Sequence, residues 1–122
     1  CLEAKTGKLA WKFRAAPEDR YFNMQGELIS TWPVRTGVVA ENDIAYCGAG
    51  LFPFDGTYLY ALDVKTGKPV WTKRIGDMEH PDGVPQAALS ISEDKLIVAP
   101  VQGMGRKSQP TAYRKADGER AQ

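Results

Sequence analysis

Histidine is nearly absent from this 122-residue chain, cysteine is scarce, and neither sign of charge dominates. With His80 the only histidine, no Ser-His-Asp, Cys-His or multi-histidine metal constellation can be assembled from the sequence. Cys1 and Cys47 are too few for a disulfide framework and lack the CxxC spacing of a metal or redox pair, so the redox compartment stays open. Sixteen Lys and Arg against fifteen Asp and Glu leave a net charge of +1, which removes the electrostatic argument for nucleic acid or an anionic membrane as partner. No apolar run approaches the ~20 residues of a membrane-spanning helix, so no transmembrane segment is expected. What remains is the composition of an ordinary globular chain of about one domain, 43% hydrophobic and 25% charged.

Self-similarity organises that chain. The segment ALDVKTGKPVW at 61–71 echoes CLEAKTGKLAW at 1–11, with seven of eleven positions identical or exchanging one acid for another. A weaker third copy, AYRKADGERAQ, runs over 112–122. The glycines fall at 7, 67 and 118, giving spacings of 60 and 51 residues. Between them, short β-branched and aromatic stretches alternate with Gly, Asn and Asp turns, and no helical period is sustained. The pattern predicts an all-β chain with strands at 34–40, 44–47, 58–63 and 68–75, a turn at 41–43 and a tight turn at 64–67. Shifted by 51, the same plan gives strands at 85–91, 95–99 and 111–114 with a turn at Glu93 and Asp94. Four antiparallel strands per unit are expected to form a propeller blade.

AxDxxTGxxxW on a strand, turn and strand resembles the PQQ-like repeat of quinoprotein-type β-propellers, the family of quinoprotein alcohol dehydrogenases and of outer-membrane assembly lipoprotein propellers. Ala61, Asp63, Thr66, Gly67 and Trp71 match the motif in full. Cys1 and Glu3 stand for Ala and Asp in the first copy, while Thr6, Gly7 and Trp11 match. In the third, Arg114, Asp117 and Gln122 replace Asp, Thr and Trp. The resemblance implies a partial β-propeller of about two and a half four-stranded antiparallel blades. Residues 1–13 are then the end of a first blade, 14–33 a linker, 34–75 a complete blade, 76–84 a second linker and 85–122 most of a further blade. Both ends fall within blades, which marks the chain as a fragment of a longer propeller or as a unit that further copies complete. The same register places Cys1 inside a strand and speaks against a lipid-bearing mature terminus.

Packing explains the motif. An outer-strand indole needs a slot and an acceptor for its N–H, and a small residue with a Gly turn in the neighbouring unit supplies one. Trp11, Trp71, Gly7, Gly67, Ala61 and Thr66 are therefore read as blade-docking residues. Chemistry belongs on the opposite face, where the longer connections gather. The candidates there are Trp32 and Arg35 at the entry to an innermost strand, Phe52 and Phe54 as exposed aromatics, and the loop of Asp77, Glu79, His80 and Asp82. Arg106 and Lys107 follow two glycines as a seat for an anion. Each has a plainer structural reading, as a solvated loop or an inter-blade contact.

Two function classes follow from the resemblance. The favoured one is a non-catalytic extracytoplasmic interaction scaffold whose partners are other blades, further copies or proteins, with no cofactor in this segment. The other is a pair of blades from a quinoprotein oxidoreductase, whose parent would hold PQQ and calcium. Such enzymes carry an adjacent Cys-Cys pair and a catalytic Asp, and no residue of this sequence can be matched to them.

Overall fold

Alternation of apolar and polar residues sets the sheets. In the segment from Ile44 to Asp63, successive residues face opposite ways, so Tyr46, Leu59 and Ala61 bury one face while Cys47, Ala49, Tyr60 and Leu62 bury the other. A sheet buried on both faces needs a layer on each side, and the rest of the chain supplies those layers. The structure, a computed structural model, describes residues 1–80, 83–99 and 109–121.

The described residues form nine strands in three antiparallel sheets, none of them closed. A hairpin pairs β1 (Tyr21–Met24) with β2 (Glu27–Ser30). A four-stranded meander follows, β3 (Val39–Glu41), β4 (Ile44–Ala49), β5 (Thr57–Asp63) and β6 (Pro69–Gly76), each paired with the next in chain order. The third sheet is β7 (Leu89–Ser92), β8 (Lys95–Val98) and β9 (Thr111–Arg114). A fourth position in that sheet begins at the bridge between Tyr113 and Arg120, and the first repeat holds only the bridge between Leu2 and Leu9. No described helix is long and apolar enough to cross a membrane.

All three repeat turns are built alike. The residue at the acid position donates its backbone N–H to the residue five on: Glu3 to Lys8 (2.8 Å), Asp63 to Lys68 (2.9 Å) and Arg114 to Glu119 (2.8 Å). The glycine closes each turn onto the same acid-position carbonyl, with φ of +69°, +72° and +73° at Gly7, Gly67 and Gly118, values that disfavour any Cβ. Thr6 and Thr66 accept the amide two residues on at 3.2 Å, and in the third copy the Asp117 carboxylate does the same for Glu119 at 3.0 Å. Loss of the threonine there preserves the bond.

Three expected features differ, one being the strand at 85–91, of which only the end forms, as β7 from Leu89 to Ser92. The strand at 34–40 is interrupted, because Gly37 adopts φ +65°; β3 starts only at Val39, and Val34 keeps a single bridge to Ala49. The segment 14–33, expected as a linker, contains the β1–β2 hairpin. Its Gln25 and Gly26 both take positive φ, and Asn23 Oδ1 caps the Gly26 amide at 3.0 Å.

Candidate functional site

Of the six expected docking residues, Trp11, Trp71 and Gly67 make contacts across the repeats. Trp11 sends its indole N–H to the Val64 carbonyl at 2.7 Å and lies over Gly67, where an added Cβ would overlap the ring. Trp71 repeats the arrangement one unit on, donating to the Lys115 carbonyl at 2.8 Å, and a Cβ on Gly118 would come within 2.8 Å of the ring. Ala61 is fully buried in the core shared by the second and third sheets. Thr66 is exposed and serves its own turn. Around Gly7, by contrast, nothing lies within 4 Å of an added Cβ.

The connecting loops carry the remaining candidates, and the structure separates them. Trp32 is 3% exposed, donates its indole N–H to the Gly56 carbonyl at 3.0 Å and is covered by the Arg20 guanidinium at 4.8 Å. It belongs to the core on the Cys47 side of the central sheet. Arg35 is exposed. Phe52 and Phe54 stack at 5.2 Å around the short 3-10 turn Pro53–Asp55, and Phe22 of β1 meets Phe52 edge-on at 5.8 Å. Phe54 stays 62% exposed. Arg20 and Phe22, which the sequence reading passed over, tie the hairpin down: Arg20 also pairs with Asp55 at 3.1 Å. Neither stands in a recognisable motif: Arg20 reaches Trp32 and Asp55, and Phe22 reaches Phe52, across connections that no sequence pattern pairs.

His80 lies in a different place, a groove of about 410 Å³ between β6 and β9 that also meets Lys73, Tyr113, Glu119 and Arg120. Asp77 organises this loop. Its carboxylate accepts the backbone N–H groups of Glu79 (2.9 Å) and His80 (2.7 Å) and lies 3.0 Å from His80 Nδ1. Those hydrogen bonds, the backbone one from His80 first, hold its pKa below the usual carboxylate value. The ionised carboxylate can only accept, so His80 Nδ1 is the donor in this contact and the ring is oriented by it. Among the described residues no hydroxyl or thiol is hydrogen-bonded to His80, and no group of three His, Cys, Asp or Glu side chains is placed to hold a metal ion. The arrangement offers an oriented imidazole at the rim of a polar groove whose other ion pair, Lys73 with Glu119 at 2.5 Å, is already satisfied. Asp82 and Arg106 lie outside the described residues.

A second hollow, about 460 Å³ and walled almost wholly by apolar side chains, separates the first repeat from the central sheet; Trp11, Phe13, Val38, Ala45, Cys47 and Leu62 line it. No motif marks it, because its walls come from four separate segments. Burial pushes the Cys47 thiol up to about 11, so it is a neutral, apolar wall group at physiological pH. No protein-family model matches the chain, and no curated protein matches it.

Proposed function

We propose that the chain forms blades of a PQQ-like repeat β-propeller that works as a non-catalytic, extracytoplasmic interaction scaffold. The observation that supports this most is the threefold recurrence of one turn, with the same two backbone hydrogen bonds and a positive-φ glycine each time, and with the indole of each of the first two repeats seated on the glycine of the next. A unit that docks on its neighbour through one side chain and one turn propagates by addition of like units, and closed rings of such sheets leave no edge exposed. The docking residues are spent on packing, so partners would engage the connecting loops, where the Phe22, Phe52 and Phe54 cluster presents an apolar surface. The location outside the cytoplasm rests on the family resemblance.

Electron microscopy of the purified protein tests the architecture: sheets radiating about a common axis support it, and a linear stack overturns it. Titration with PQQ and calcium tests the absence of catalysis. A scaffold leaves the quinone spectrum unchanged and oxidises no alcohol; saturable binding with turnover would replace the scaffold with an oxidoreductase.

A further inference from the structure

Between Ala16 and Thr31 the chain leaves the core and returns to it. The two roots are fixed: Ala15 and Trp32 are buried on the Cys47 side of the central sheet, and Ala16 packs against the same cluster. No residue from 17 to 30 is buried. The β1–β2 pair between the roots has no third strand, and a two-stranded hairpin is marginally stable on its own, so whatever holds it down decides where it sits. Alternation turns Phe22 and Ile29, which face each other across the pair, toward the protein, where both are half-buried, and leaves Tyr21 and Leu28 exposed on the outer face.

One side chain supplies the polar hold. Arg20 stands at the foot of the hairpin, where its carbonyl accepts the Thr31 N–H at 3.0 Å. Its guanidinium covers the Trp32 ring at 4.8 Å and pairs with Asp55 at 3.1 Å. The Asp55 side chain is only 16% exposed, and a carboxylate so enclosed calls for a cation beside it. The same guanidinium pairs with Glu18 at 3.1 Å, and Glu18 lies on the segment outside the core. Arg20 therefore keeps an acidic partner whether the hairpin is down or lifted, while Asp55 and the Trp32 face lose theirs on lifting. The remaining hold is the edge-on contact of Phe22 with Phe52. Ion pairs with one exposed partner and single ring contacts are weak, so the closed position is held lightly. An aromatic face beside a carboxylate is also a seat for an organic cation, because the ring quadrupole and the charge both attract it.

We infer that the β1–β2 hairpin is a releasable strap, latched by Arg20, over an organic-cation seat made by Trp32 and Asp55. A guanidinium or ammonium group that takes the seat displaces Arg20, which keeps Glu18, and the strap lifts to uncover the inner sides of Phe52 and Trp32. Closed, it leaves Phe54 exposed but Phe22 and Phe52 half-buried. Control of a partner's access to this cluster rests on the scaffold reading; the strap itself rests on residues 15–56 alone and is tested without a partner, so either can fail without the other.

The probe is the guanidinium ion, titrated into the isotope-labelled 122-residue chain up to about 0.1 M, well below denaturing concentrations, beside sodium chloride at equal ionic strength. Expected are saturable shifts at the Trp32 indole N–H and across residues 20–30, fading of the Phe22–Phe52 ring contact in nuclear Overhauser spectra, and no change in β8. Sodium chloride, which only screens, should give roughly a third of that response or less. Arg20→Ala should lift the strap in plain buffer at an unchanged melting midpoint and bind guanidinium at Trp32 roughly threefold more tightly or better, because the internal competitor is gone. Adding Asp55→Asn to that variant should remove the gain. A Phe22–Phe52 contact that survives Arg20→Ala overturns the latch. Equal responses to guanidinium and sodium, or a guanidinium affinity indifferent to Arg20, overturn the seat. A melting midpoint lowered by Arg20→Ala, with shifts reaching β8, would make the hairpin part of the cooperative fold rather than a strap.

Discussion

At the scale of single residues, Trp71 reaches the third sheet through its ring, which lies against Gly118, and through one hydrogen bond to the Lys115 carbonyl. Trp71→Ala should lower the free energy of unfolding by about 3 to 5 kcal/mol, the usual range for a packed aromatic truncated to alanine, as read from urea denaturation. The glycines offer a sharper comparison. Gly7 and Gly67 share the same positive φ, so an alanine at either costs about 1 kcal/mol of backbone strain, but only at Gly67 does the new methyl also displace an indole. Gly67→Ala should therefore destabilise clearly more than Gly7→Ala; equal losses would show that the Trp11 seat contributes nothing. Cys47 carries a pH dependence. Its folded pKa of about 11 lies above the ordinary 9.0, so the folded state holds the thiol proton more tightly. The associated stability, about 2 to 3 kcal/mol at ~1.4 kcal/mol per pH unit, is fully present below pH 9 and lost as pH rises toward 11. Cys47→Ala should flatten the alkaline limb of the stability profile over that window, measured by urea midpoints from pH 8 to 11. Tyr60, raised by burial from 10.0 to about 12, adds a slope of its own from pH 10 upward, so the Cys47 contribution is read most cleanly between pH 9 and 10.

At the scale of elements, the β1–β2 hairpin hangs on few contacts: Arg20 to Asp55 and Trp32, and Phe22 to Phe52. Arg20→Ala should leave the unfolding midpoint of the sheets nearly unchanged while speeding proteolysis at the Gln25–Gly26 turn several-fold, because local opening needs only those contacts to break. This element also shows where sequence reading stops. The strands β4, β5, β6, β8 and β9 were legible because alternation, Gly and Asp turns and the repeat agree with one another. The hairpin was hidden because Gln-Gly is a weak turn signal and because Tyr21, Met24 and Leu28 stay exposed, so no alternating pattern marks a buried face. β3 was drawn too long since Val34 to Ala40 is apolar enough for a strand, and only the backbone angle of Gly37 breaks it. Of the candidate site residues, the docking pairs were readable from recurrence alone. Trp32 drew notice by its place at the entry to a strand, whereas its burial and the bond from its N–H to the Gly56 carbonyl depend on a loop 24 residues on. The apolar hollow was invisible, as its walls converge from segments scattered between residues 1 and 64.

At the scale of the whole molecule, the two interfaces differ in strength. The second and third sheets share a continuous core of eight buried residues and are joined further by ion pairs from Lys115 to Glu41 and Lys73 to Glu119. The first repeat meets the central sheet through Trp11 and Phe13 around an open hollow, and residues 1–10 are all exposed. Stability in an array of repeats is a sum of unit and nearest-neighbour terms, so this asymmetry should divide the molecule into two levels of opening. Native-state hydrogen exchange is expected to show β4, β5 and β8 opening together at the global free energy, since each is paired on both sides and the core of eight residues couples the two sheets. The amides of Glu3, Gly7 and Ala10 should exchange at a much lower free energy despite their hydrogen bonds. Trp11→Ala should remove that residual protection and leave β8 untouched, whereas Trp71→Ala should lower β4, β5 and β8 together. If Trp11→Ala instead lowered protection throughout, the first repeat would be part of the same cooperative unit, and the open hollow beside it would not mark a weak interface.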